Sequence, residues 1–456
     1  MRIIQKGDSR VIKIINKKTI NQEGWYRFSL FTFTYADKNS YVIQNTLSFE
    51  VLELTKTEWD AIQIIQKEPV GYAFLMEHGL EKLALSGYIV ETEHNDVKQY
   101  QQVVFLIKTI YKPQNGYVTY NIFPTTGCNA RCTYCFEEGF AVRTMTIDMA
   151  DKLIEFICET RRDQTTKIRW FGGEPLVAKH IITHICSELQ KRKIPYESSM
   201  VTNASLMTKE LAHEARELWH LKKVQVSLDG VKEDYTLRKQ YYHPEKHNYN
   251  VVMQAIHALA DEGIKVALRV NFDEENFSRL QGFVDEIYRA FGDKPNVSIY
   301  LSMLCQAQKS EHCIQLYQKM FELNDYISSL GMLDDKHHRL VTSLKTNHCM
   351  ADALDDCIVI EPDGVFNNCD FLPENHRYGN LIEGVTDRTL INAIRTVPQD
   401  DEQCTQCPFL PECTSFFKKE CPFWFEKCYE YHCMKTEWAL QQLLKGESNK
   451  KYDDNE

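Results

Sequence analysis

The sequence predicts an α/β fold: an open, partial (β/α)6 barrel, with a smaller module before it and a cysteine-rich region after it. Three observations lead there. From residue 117 onward, strand-like and helix-like segments alternate six times, as parallel βα units do. The first 95 residues follow a different order of elements, and between residues 349 and 433 nine cysteines crowd together while apolar periodicity fades.

In the first module, residues 41–43 and 50–54 read as two short strands around Gln44-Asn45-Thr46. Helical patterns follow at 56–67, 71–79 and 81–86, and Gly87 leads into a closing strand at 88–90. That order is winged-helix-like and assigns 1–95 to a module of its own. The polar run at 91–102 reads as a linker, so 96–116 is expected to connect rather than to pack. The barrel, 117–310, has candidate strands at 117–123, 167–171, 198–202, 223–228, 265–271 and 297–301. Helical patterns lie between them at 148–161, 179–193, 209–220, 250–262 and 276–291. In such a barrel the chemistry gathers at the C-terminal ends of the strands. A helical bridge spans 311–348, the cysteine-rich domain 349–445, and the charged tail from 446 is expected to be disordered.

The 456 residues carry a net charge of −11 and no long Lys/Arg block, which disfavours a nucleic-acid partner. No apolar run approaches the ~18 residues of a membrane span, and Met1-Arg2-Ile3-Ile4-Gln5-Lys6 does not read as a signal peptide. A cytoplasmic protein without a membrane partner is expected. In that compartment 16 cysteines at close spacings mean metal or catalysis more often than disulfides. Cys158, Cys186, Cys305 and Cys313 fall in apolar patterns and read as core, and the His337-His338 pair reads as an inert polar loop.

Cys128-Asn129-Ala130-Arg131-Cys132-Thr133-Tyr134-Cys135 has the spacing CxxxCxxC and begins just past the first barrel strand. Three thiolates on one loop can ligate three irons of a [4Fe–4S] cube and leave the fourth open. A structural zinc site would want a fourth ligand. With this motif the chain resembles the radical S-adenosylmethionine (SAM) superfamily, and the resemblance continues at later strand ends. It implies an open iron that chelates SAM, and reductive cleavage of SAM to a 5'-deoxyadenosyl radical. Tyr134 matches the aromatic beside the adenine. Gly172-Gly173-Glu174-Pro175 resembles the segment that holds the methionine amine, as close backbone and a carboxylate would. Thr202-Asn203 is similar to a ribose-contacting position, and Ser227-Leu228-Asp229-Gly230 resembles the SLDG segment. Arg238 matches an arginine that pairs with the SAM carboxylate, and Asn271 is a further candidate for the adenosine pocket.

Downstream, Cys349, Gly364 and Cys369 precede Cys404-x2-Cys407-x5-Cys413, Cys421, Cys428 and Cys433. This resembles the SPASM extension of radical SAM enzymes, which implies two auxiliary [4Fe–4S] clusters and three in all. By that resemblance Cys404, Cys407, Cys413 and Cys433 hold the outer cluster, and Cys349, Cys369 and Cys421 the inner one, with Cys357 as a possible fourth ligand. The family usually has three residues where seven separate Cys413 from Cys421, which leaves Cys421, Cys428 and Cys433 interchangeable. His432 is placed to contact a cluster.

The resemblance implies an oxidoreductase that modifies a ribosomally made precursor peptide, by thioether or side-chain crosslink, with a flavodoxin or ferredoxin as low-potential electron donor. The first module resembles, in element order, the recognition element for a peptide leader, with the strand at 41–43 as an edge for β-augmentation. The alternatives are a sulfatase-maturating enzyme that generates formylglycine and a non-catalytic iron–sulfur electron carrier.

Overall fold

The computed structural model describes residues 1–38, 40–110, 116–334, 339–344, 356–372, 374–390, 402–413 and 426–446. Cys349, Cys421, His337, His338 and the tail from 447 lie outside them. The chain forms two compact units, one of residues 1–113, 338–349 and 397–456, the other of 114–337 and 350–396. The single C-terminal domain expected over 349–445 is therefore divided between them. Among the described residues no helix is long and apolar enough to cross a membrane.

The first unit opens with β1 (Arg2–Gln5), α1 (Ser9–Ile15), β2 (Trp25–Phe28) and β3 (Thr32–Ala36), elements too short to leave a periodic signal in the sequence. Then come β4 (Tyr41–Asn45), β5 (Val51–Leu54), α2 (Lys56–Ile65), β6 (Val70–Gly71), α3 (Tyr72–Glu77), α4 (Glu81–Leu85) and β7 (Ile89–Glu91), in the order the sequence predicts. Thr55 and Glu58 close a capping box on α2, so two backbone donors at its start are satisfied. The strands pair as β1-β5-β4-β3 and β6-β2-β7. Residues 41–43 thus lie on an interior strand, hydrogen-bonded on both sides, and cannot receive a peptide as expected; the edges of that sheet are β1 and β3.

The expected linker is also corrected. Residues Asp96–Ile110 form α5, whose Tyr100, Val103, Val104 and Ile107 recur at helical spacing and are buried with Val11, Ile15 and Phe31. The polar run that opens the helix, and the exposed Phe105, Leu106 and Ile110 off the stripe, concealed it.

The second unit is built on six parallel strands, β8 (Thr119–Thr125), β9 (Thr166–Gly172), β10 (Tyr196–Thr202), β11 (Leu221–Leu228), β12 (Lys265–Phe272) and β13 (Val297–Met303), which neighbour one another in chain order. Helices α6 (Ile147–Thr160), α7 (Lys179–Lys191), α8 (Lys209–Glu217), α9 (Lys232–Lys239), α10 (Tyr249–Asp261), α11 (Leu280–Phe291), α12 (Cys305–Gln308) and α13 (Cys313–Ser329) connect or follow them. Val266, Leu268 and Val270 are buried on one face of β12, while Arg269 between them is half-buried on the other. Next, β14 (Cys357–Ile360) joins the sheet parallel to β8, and β15 (Val365–Asn367), β16 (Arg377–Asn380) and β17 (Gly384–Val385) extend it antiparallel. That pairing is why 350–396 belongs with the barrel.

The rest of the chain returns to the first unit with α14 (Glu402–Thr405) and α15 (Cys428–Leu444). Leu440 on α15 is buried with Val42 and Val51, and Leu410 is buried with Phe31 and Leu47. Burial of this kind, near 25 cal/mol per Å² of apolar surface, holds the C-terminal segment to the N-terminal sheet.

Candidate active site

Residues 126–135 leave the end of β8 as a loop that carries Cys128, Cys132 and Cys135, and backbone bonds fix its course. Arg131 N–H donates to Gln240 C=O at 3.0 Å and Thr133 N–H to Arg238 C=O at 3.0 Å. On the other side, Asn129 donates to Ser205 Oγ at 2.9 Å and accepts from Asn203 Nδ2 at 2.9 Å. The loop is thereby tied to the ends of α9 and β10.

Burial pushes the Cys128 thiol up to about 12, with Glu174, Cys132 and Cys135 adding to the shift. Burial also raises Cys132 and Cys135, and Cys135 feels Cys132 as well. The three sulfurs are thus within electrostatic reach of one another. Among the described residues no group of His, Cys, Asp or Glu is arranged to hold a single metal ion. A [4Fe–4S] cube asks for something different, one thiolate on each of three separate irons, and this loop fits that demand.

The two glycines serve the loop directly. Gly172 has φ +116°, and a Cβ there would meet Thr125 O at 2.3 Å. At Gly173 a Cβ would meet Gly127 O at 2.5 Å and Thr126 O at 2.6 Å. Only residues without side chains let the end of β9 lie against the start of the cysteine loop. Glu174 follows, fully buried, accepting from Leu176 N–H at 3.1 Å, Thr202 Oγ1 at 2.7 Å and Asn203 N–H at 2.8 Å. Burial raises its pKa despite these donors. Three of about four carboxylate acceptor positions are filled, which leaves one for an ammonium group.

Asp229 is fully buried too, and three side chains from different elements hold it. It accepts from Tyr134 Oη at 2.7 Å and from Asn271 Nδ2 at 2.9 Å, and forms an ion pair with Lys239 Nζ at 3.4 Å. Lys239 Nζ also donates to Tyr134 Oη at 2.9 Å. Burial would depress Lys239, but Asp229 beside it holds the ammonium well above the ordinary lysine value. Asp229, expected to face the cofactor, accepts from the Tyr134 hydroxyl with both oxygens and so orients that ring. Lys239 escaped the sequence reading because α9 has almost no apolar stripe; the signal present was a lysine directly after Arg238. Arg238 pairs with Asp273 at 2.6 Å and lies 3.6 Å from Glu275. Ser227 is half-buried on β11, in register with Arg269 of β12.

Cys357 and Cys369 belong to the barrel unit, near the buried carboxylate of Asp370. Asp370 pairs with Arg169 of β9 at 2.7 Å and accepts from Asn121 at 3.3 Å. Burial, then Asp370, pushes Cys357 up to about 12. Cys404, Cys407 and Cys413 lie in the other unit. Burial pushes Cys407 up to about 12, and the thiols that add to it are Cys413, Cys428 and Cys404. Cys433 pairs instead with the hydroxyl of Tyr429, and its charged neighbours are Glu437 and Glu430. Five helical residues apart, Cys428 and Cys433 point about 140° from each other. Of the two, Cys428 is the one whose charge acts on Cys407, which makes it a candidate beside the expected Cys433. His432 stacks on Phe409, with ring centroids 5.4 Å apart.

Comparison with known proteins agrees with this geometry. Residues 122–287 match the Radical SAM superfamily model. A GTP 3',8-cyclase of Campylobacter lari is 29% identical over 166 residues, 35% of this chain and 46% of that protein. An Fe-coproporphyrin III synthase of Methanosarcina barkeri is 24% identical over 176 residues, 38% of this chain and 41% of that protein. The chain thus aligns with under half the length of these curated relatives. Among solved structures, native anSMEcpe with bound AdoMet superposes with a TM-score of 0.56 at 17% identity, over 73% of this chain and 100% of that one. Streptococcus suis SuiB bound to precursor peptide SuiA gives a TM-score of 0.51 at 15% identity, over 88% and 98%. These likenesses are of fold. Residues 122–287, with the cysteine loop at the end of β8, thus form a radical SAM superfamily domain.

Proposed function

We propose that this chain is a radical SAM peptide maturase that oxidatively crosslinks a precursor peptide and carries three [4Fe–4S] clusters. The observation that carries the reading is the pinned cysteine loop, whose anchors include the ends of β9, β10 and α9, each of which also bears a candidate SAM residue. When bound, the cluster and SAM supply a 5'-deoxyadenosyl radical that takes a hydrogen atom from the substrate. The chain's own part is to hold and aim. Cys128, Cys132 and Cys135 hold three irons, the remaining acceptor position of Glu174 takes the methionine ammonium, and Tyr134, fixed by Asp229 and Lys239, packs beside the adenine. Ser227 and Asn203 face the ribose, and Arg238 takes the carboxylate, exchanging it for Asp273.

Cys357 and Cys369 are assigned to the inner auxiliary cluster together with Cys349 and Cys421, and Cys404, Cys407, Cys413 and Cys428 to the outer one. A flavodoxin or ferredoxin of the cytoplasm supplies the electron. The peptide reading draws support from SuiB with its precursor peptide, whose fold is shared over 88% of this chain. The edge of β3, not residues 41–43, is where a leader would add a strand. That same unit counts against a sulfatase-maturating enzyme, whose barrel begins near its start. A GTP 3',8-cyclase activity has support from the barrel segment alone.

Two measurements test the reading. Replacement of Cys128, Cys132 and Cys135 by Ala should abolish 5'-deoxyadenosine formation under dithionite; persistence of that product would overturn the cofactor assignment. Mass spectrometry of a short peptide encoded beside this chain and co-expressed with it should show a loss of two hydrogens, and an unchanged peptide would reject the crosslink.

A further inference from the structure

Among the described residues, the cations on the lumen side of the barrel strands pair with carboxylates, with one exception. Arg169 on β9 pairs with Asp370 at 2.7 Å, and Lys223 on β11 pairs with Asp334 at 3.2 Å. Arg269 on β12 has a neutral partner: its Nη2 donates to Ser302 Oγ of β13 at 3.0 Å, and its buried Nε has no acceptor. Among the described residues no carboxylate lies within ion-pair distance of it.

Two observations place this guanidinium in the lumen. Arg269 precedes Asn271 by two residues, so strand alternation turns both to the same side, and the Asn271 amide reaches Asp229 and Tyr134 at the cysteine loop. The neighbouring Tyr300, in register with Arg269, is acted on by Arg269, Asp334 and Arg169. A charge on β9 can influence a phenol on β13, four strands away, when both point into the barrel. Glu137 of the cysteine loop also has an oxygen without a partner, but the charge acting on it is that of Asp370, on the β9 side.

A guanidinium whose buried Nε lacks an acceptor, and which has no counter-ion, is satisfied by a bidentate carboxylate. In a chain with a net charge of −11, supplying a carboxylate from the protein would be the ordinary solution. We propose that Arg269 is a substrate-anchoring residue that pairs with a carboxylate of the peptide, either an acidic side chain or a free C-terminus, close to the residue being modified. One unbalanced positive charge matches one carboxylate; a nucleoside triphosphate would bring several negative charges to a lumen whose other cations are already paired. The inference rests on the peptide reading for what carries the carboxylate, but not for the presence of an anion site.

The test uses the full chain with its clusters reconstituted, and equilibrium dialysis against four probes: Ac-Ala-Glu-Ala-NH2, Ac-Ala-Gln-Ala-NH2, Ac-Ala-Ala-Ala with a free C-terminus, and glutarate. Wild type should retain at least one carboxylate-bearing peptide about tenfold better than the Gln peptide, and the Glu and free-acid arms show which carboxylate is taken. Arg269→Gln should erase that preference with iron content unchanged. Arg269→Lys, which keeps the charge and loses the fork, should lower it severalfold and serves if the Gln variant does not load iron. Equal retention of all four probes by wild type, or a preference that survives both substitutions, overturns the proposal. Arg269-dependent retention of glutarate without any peptide preference would uphold the anion site and reject the peptide.

Discussion

Lys239→Met is the most discriminating single perturbation of the site. The ammonium lies 3.4 Å from an Asp229 carboxylate with no exposed surface, and its own side chain is 4% exposed. At an effective dielectric of about 20 such a pair interacts by about 5 kcal/mol, and breaking a buried pair from one side typically costs 3–5 kcal/mol because the other charge stays behind. For a unit of this size the variant should melt roughly 10 °C below wild type. Differential scanning calorimetry of reconstituted protein, at one scan rate, reads this. The double variant Asp229→Asn/Lys239→Met should regain most of the loss, since neither charge then remains buried alone. The pH dependence has a definite sign. A lysine whose folded pKa is raised stabilises fully below its unfolded value of about 10.4, and that contribution fades as pH rises toward the folded value, so the gap between wild type and Lys239→Met should be flat from pH 7 to 9. A Lys239→Met protein that melts within 2 °C of wild type (roughly 0.5–1 kcal/mol), with no recovery in the double variant, would refute the account of Asp229 as a clamp on Tyr134.

Other outcomes follow from the same geometry. Gly173→Ala must displace the carbonyls of Thr126 and Gly127, so iron bound at the catalytic cluster should fall sharply, as read by colorimetric iron assay. Glu174→Gln turns an amide N–H toward a backbone donor and should cost about 1–3 kcal/mol in thermal unfolding, even without SAM. Cys428→Ser should remove about four irons per chain, whereas Cys433→Ser should leave the count unchanged; the reverse result would restore Cys433 as the outer ligand. Thr55→Ala should destabilise the N-terminal unit by about 1 kcal/mol through loss of the capping box on α2.

How much was legible depended on how each residue earns its place. The six barrel strands and the cysteine loop could be read because alternation and ligand spacing are local signals. Helix α9 could not, since Asp234, Tyr235, Arg238 and Lys239 are buried by partners distant in sequence, and a polar helix shows no apolar stripe. The same blindness hid the hold of Asp229 on Tyr134, which depends on donors from different elements. Edge and interior strands are likewise indistinguishable without the sheet order, which is how residues 41–43 came to be read as an edge. Between Cys428 and Cys433, spacing alone could not choose; the charge of Cys428 acting on Cys407 is a signal that only the folded chain carries.

The aromatic seam within the first unit has a practical consequence. Phe33 of β3 lies 5.4 Å from Phe409, whose N–H bonds the sulfur of Cys407, and Thr46 donates to the carbonyl of Pro408. A chimera that exchanges the N-terminal sheet alone would leave Phe409 and Leu440 facing a foreign surface. The transplantable cassette is discontinuous: whoever wishes to retarget such a protein must move the opening module and its closing helix together, as two ends of one chain that share a single hydrophobic interior.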